Sequence, residues 1–182
     1  SRISAANRLT DNGRFVALYG QEFSTSSSGN HVNVLDVGNV IDVPSGAFDR
    51  LVNTWLPANP DTLGGLAVLL MNHPATSRSS AGKEYGRDDF GSDAEWIRRL
   101  GSHASLIAMI NGPSHAAGEG LRPSNPAESE VFRYLNLGFR LAPTADQDNH
   151  RSTWGTITDA RTAVVADDLS KASLLRAMKA RH

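Results

Sequence analysis

Residues 144–155, TADQDNHRSTWG, place Asp146, Asp148 and His150 within five positions and follow them with Trp154 and Gly155. Carboxylates and imidazoles this close together either ligate a cation or form a hydrated polar turn. For Asp146 an Asx turn, or a supporting place behind the ligands, is the simpler account. A calcium loop is excluded, because Arg151 stands where such a loop needs glycine and Ile157 where its closing glutamate belongs. His103, His115 and His182 receive no role.

Other polar or ionisable residues recur where apolar runs end. Glu22 closes RFVALYGQEF (14–23), and His31 follows the serine-rich STSSSGN. His73 closes LAVLLMNHP, Asn111 closes ASLIAMING, and Asp148 with His150 end the segment that starts at Phe139. Taken singly, each histidine is more often a hydrogen-bonded structural residue, and Glu22 reads as an edge-strand carboxylate facing water. Their repetition at strand ends favours the sharper reading. In α/β proteins the carboxyl ends of parallel strands converge on the chemistry. Glu22, His31, His73, Asp148 and His150 form a donor set suited to Zn, Mn or Fe, and a divalent ion there would activate water for hydrolysis.

The elements that must position these groups alternate. Strands are expected over 14–23, 31–41, 66–74, 104–112 and 161–167. Helices are expected over 45–56, 93–100, 127–138 and 168–181, with 75–92 a long loop of functional length. Helix capping by Ser45 and Asp93 and closure by Gly138 fit that reading. The order predicts an α/β fold, with residues 1–182 forming a single domain. A net charge of −1 gives no reason to expect nucleic acid as a partner. No apolar run reaches the roughly 18 residues of a membrane span, so the expectation is a soluble protein of cytoplasm or periplasm. The chain has no cysteine, which removes disulfides and thiolate metal sites. It opens at Ser1 without methionine, which suggests that an upstream segment was removed.

GQEFSTSSSGNHVN, NHP, NGP and DQDNHRSTWGTITDARTAV, in this order, resemble the PHP (polymerase and histidinol phosphatase) superfamily of metal-dependent hydrolases. The nearest resemblance is to its CehA/McbA-like branch, which includes carbamate hydrolases. It implies a distorted (β/α)7 barrel with two or three divalent ions at the strand ends and a phosphoester, carbamate or similar small-molecule ester as substrate. On this resemblance Glu22 bridges two ions, His31 and His73 share one ion with it, and Asp148 shares another. His150 faces a third ion or the substrate. The family's opening H-x-H pair is absent, so the barrel is expected to be incomplete at its N-terminus and to stop early after Arg181. Ala145 and Ala108 stand where relatives often carry glycine and glutamate.

Arg161 is a candidate anion clamp near the ions, set against a salt bridge to Asp159 or Asp167. Trp154 is expected to pack behind the ligand loop. The rival reading is a catalytically incomplete PHP-like fragment or binding module that keeps partial metal binding. Its open edge would favour a homo-oligomer or a complementing chain. A metal-free sugar- or nucleotide-binding domain lacks support, because no glycine-rich phosphate loop follows a strand.

Overall fold

The computed structural model describes residues 2–24, 30–74, 84–116, 118 and 120–182. Much of the loop expected at 75–92, and the serine run before His31, lie outside the described residues. After helix α1 (Arg2–Leu9) the chain enters β1 (Gly20–Phe23) and β2 (Val32–Leu35). Next come α2 (Phe48–Arg50), a π-helical turn (Leu51–Trp55) and α3 (Leu56–Ala58) in one continuous run. β3 (Val68–Met71), a 3-10 stretch (Glu84–Phe90), α4 (Asp93–His103) and β4 (Ala104–Asn111) follow. Two-residue β5 (Asn125–Pro126), α5 (Glu128–Leu137), β6 (Ala142–Asp146) and α6 (Lys171–Ala180) complete the order.

Among the described residues six strands form one open, mixed sheet, which corrects the expected barrel. β1 pairs antiparallel with β2, and β2 antiparallel with β3. Only β3–β4 and β4–β6 are parallel. A (β/α)7 barrel needs every neighbour parallel and its first and last strands paired. Here β2 turns back between β1 and β3, and β1 and β6 each have one named strand beside them, so the sheet keeps two edges. β5 meets β4 at Ile110 and Asn111, beyond the point where β3 ends.

Alternation of side chains along the strands sorts the two faces. Phe23, Val32, Val34, Leu69, Met71 and Ile107 point to one face and join the main core. There the π-turn, α4 and α5 cover them with an aromatic cluster in which Trp96 and Phe139 meet edge-on at 5.0 Å. α4 forms where expected and runs three residues further. The Ser92 Oγ caps it by accepting from the Glu95 amide at 3.3 Å, Asp93 and Glu95 complement its dipole, and Trp96, Leu100 and His103 are buried on one side. Gly86 has φ +67°, and a Cβ there would overlap Phe48.

The opposite face carries Leu35, Val68, Leu70, Leu106 and Ala142, covered in part by Leu175 and Met178 of α6. α6 is also tied down by charge. Lys171 Nζ lies 3.3 Å from Asp36 Oδ1, and Lys179 bonds Asp61; both aspartate side chains are fully buried. The strand expected at 161–167 does not form. The Thr162 hydroxyl accepts from the Ala145 amide at 2.8 Å, so a side chain takes a position on the β6 edge that a backbone carbonyl would otherwise fill. The strands expected at 14–23 and 31–41 shorten to four residues each.

Burial by itself would raise the Asp61 pKa, but bonds from Lys179 and the amides of Gly65 and Leu63 outweigh it and leave it below its ordinary 3.8. A depressed carboxylate pKa gives stability that is complete above the unfolded value and lost as pH falls through the folded one. Asp61→Ala is expected to cost about 2 kcal/mol at neutral pH, within the range for hydrogen bonds to charged groups. In urea melts from pH 7 to pH 2 the gap between wild type and variant should close only below about pH 4.

Candidate metal centre

β1, β2 and the residues just after β3 bring three expected ligands together. One donor atom each from Glu22, His31 and His73 lies within 4.8 Å of the others. This cluster could hold a metal ion. Tetrahedral ligation at ordinary bond lengths spaces donors about 3.4 Å apart, so binding would draw the three side chains modestly inward. His31 Nδ1 is 3.0 Å from Glu22 Oε1, and the His31 and His73 rings meet edge-on at 4.7 Å. Glu22 is exposed and the two histidines are half-buried, which leaves the cluster open on one side.

Asn72 holds this arrangement. Its Nδ2 donates to Glu22 Oε1 at 3.1 Å, its backbone amide donates to the His31 carbonyl at 2.9 Å, and its own carbonyl accepts from the Tyr85 hydroxyl at 2.6 Å. One residue thus fixes the carboxylate, the backbone of one histidine and the start of the turn carrying the other. Asn72 sits within the quoted NHP run, yet its role depends on cross-strand geometry that the run does not show.

Asp148 stands outside the three-donor cluster but close enough for its charge to act on His73. Its Oδ2 accepts from Asn111 Nδ2 at 3.2 Å and Ser114 Oγ at 3.0 Å. His150 donates Nδ1–H to the Asp148 carbonyl, 2.7 Å away, which fixes the orientation of the ring. The His150 ring stacks on His115 at 4.3 Å, so His115, given no role from sequence, supports the His150 ring. Glu22, Asp148 and His150 line one cleft of about 380 Å³ with Asn72, Asn111 and Asp146. Asp146 ends β6 instead of opening a turn, and Thr144 Oγ1 donates to it at 2.7 Å. Burial raises its pKa, against the Thr144 bond.

Arg161 does not reach the cleft. Its guanidinium donates to the carbonyls of Gly155 (2.5 Å), Thr158 (2.5 Å) and Ala160 (2.7 Å), fastening the 155–161 segment to itself. Trp154 is 71% exposed, so it is not the packing residue expected behind the ligand loop.

Two candidate ligands carry backbone strain. His73 has φ +31° and Asp148 φ +49°, in the region that disfavours side chains with a Cβ. Burial, then the nearby His31, lowers the His73 pKa below 6.5, against the pull of Asp148 and Glu22. The imidazole is therefore neutral at pH 7 and has a lone pair to give.

Zinc titrated into ion-free protein is expected to bind at one equivalent, and His31→Ala or His73→Ala to weaken it at least 100-fold. Asn72→Ala, which removes only support, should cost about 10- to 100-fold. Because glycine tolerates positive φ, His73→Gly should unfold at or above the midpoint of His73→Ala, a gap of about 1 kcal/mol in its favour. Comparisons of the chain with protein families, with characterised proteins and with solved structures give no match.

Proposed function

We propose that this chain is a metal-dependent hydrolase of PHP kinship, acting on a small-molecule ester. The observation that supports the reading most is the Glu22–His31–His73 cluster, braced by Asn72 at the edge of a polar cleft. The ordered motifs supply the kinship, and the barrel is no part of it. A divalent ion, Zn, Mn or Fe, would supply Lewis acidity and lower the pKa of a water. Glu22, His31 and His73 would hold that ion, and Glu22 also lines the cleft. Asp148 lines the same cleft as Glu22, with one oxygen engaged by Asn111 and Ser114. His150, with Nδ1–H fixed on a carbonyl, uses Nε2 to carry a proton to the leaving group.

A second reading draws on the open sheet: an incomplete module that binds an ion and pairs with another chain through the edge of β1 that has no strand beside it among the described residues. Metal analysis, sedimentation and turnover separate the two. On the hydrolase reading, protein purified without chelator carries at least half an equivalent of transition metal and hydrolyses p-nitrophenyl esters or a carbamate ester. Chelation abolishes turnover, and Glu22→Gln lowers kcat/KM by at least 100-fold. A metal-loaded dimer with no turnover on any of these substrates would sink that reading in favour of the module.

A further inference from the structure

Resting on the hydrolase reading, we propose that the substrate is an uncharged ester whose acyl chain lies in an apolar groove on the same sheet face as Glu22. The strand register carries the argument. Glu22 pairs with Asn33, Asn33 with Leu70, Leu70 with Leu106, and Leu106 with Ala142. Directly opposed residues share a face, so this one row crosses the sheet from the ligand carboxylate to three apolar side chains. Two strand spacings, roughly 10 Å, separate Glu22 from Leu70. Leu70, Leu106 and Ala142 line a groove of about 450 Å³, with Val164 and Met178 closing it from outside. Asp146 lines both this groove and the polar cleft, so the two spaces share a wall.

Charge selects the class of ester. Glu22, Asp146 and Asp148 line the cleft, and its other walls are His150 and five carboxamides, Asn33 and Asn149 among them. Neither lysine nor arginine lines it among the described residues. Three carboxylates (−3) with one divalent ion (+2) sum to −1, a field that repels a phosphomonoester dianion and accepts a neutral carbonyl. In the reaction, water oxygen bonds to the acyl carbon and the carbon–alkoxide bond breaks. The electron pair of that bond leaves with the alkoxide, which takes one proton from water. The acid departs as carboxylate, and the second proton is released to solvent.

The test uses zinc-loaded full chain and p-nitrophenyl esters from acetate to octanoate, beside p-nitrophenyl phosphate. The expected kcat/KM rises about threefold per added methylene, and the phosphate is at least 100-fold slower. Ala142→Trp fills the groove and removes the chain-length dependence while zinc stoichiometry is retained. Val164→Trp, from the opposite wall, does the same if the first variant does not fold. A flat series in zinc-loaded, active wild type, or preference for the phosphate, overturns the proposal. Groove occupancy is also read without catalysis, by titrating n-hexanol into ion-free protein. The methyl resonances of Leu70, Leu106 and Met178 should shift in wild type and not in Ala142→Trp. Absence of esterase activity with those shifts present would overturn the hydrolase reading and leave the groove standing; absence of the shifts removes the groove.

Discussion

The antiparallel register of β1, β2 and β3 is the constraint on which everything else rests. It pairs Phe23 with Val32 and Glu22 with Asn33, so the first pair faces the aromatic core and the second faces the cleft. A slip of one residue would drive Glu22 into the packing around Phe48 and put Phe23 in water. Burial of Phe23, Val32, Val34 and Met71 therefore fixes the candidate ligands from the opposite side of the sheet. The cluster needs no dedicated scaffold, because the core that stabilises the domain also sets the spacing of its donors.

His73 and Asp148 show the opposite balance. Both follow strands whose geometry is settled, and both hold a left-handed backbone that costs of order 1–3 kcal/mol. The turns beyond β3 and β6 accept that cost where side chains must change direction to face a common space. Asn72 and the pair Asn111–Ser114 take matching places: each donates to one carboxylate oxygen, of Glu22 in the first case and of Asp148 in the second. A carboxylate so held cannot swing to water, which is the support that an ion-binding set requires.

The later helix positions were legible because their period is local: Trp96 and Leu100 show a face and Gly138 an end, while the cap of α4 is Ser92, one residue before the expected Asp93, and α1 was not expected. The candidate ligands Glu22, His31 and His73 could be picked out because polar residues interrupt apolar runs, and the structure brings these three together. Sheet topology was not, since nothing in VNVL distinguishes a parallel strand from one that turns back between its neighbours. The (β/α)7 expectation failed at that step. Arg161 and Trp154 were misplaced for a related reason: sequence shows a guanidinium and an indole beyond the D-x-H pair, and only the folded loop shows one turned onto carbonyls and the other exposed. Asn72, Ser114 and His115 act through partners far away in the chain, a relation that composition and spacing do not encode.

The charge pairs under α6 connect stability to access. Asp36 follows the end of β2 opposite His31, and Asp61 is bridged to Val37 beside it, so both lie away from the cleft. Lys171 and Lys179 anchor α6 there, while Leu175 and Met178 lean on Val68, Leu70 and Leu106. The apolar contacts orient the helix on the sheet, and the two charge pairs add a second, directional constraint on where along the sheet it sits. Two buried carboxylates, costly to leave unpaired, allow one position only. The helix thus covers the half of the face that must exclude water and leaves uncovered the half where Glu22, Asn33 and Asp146 meet solvent.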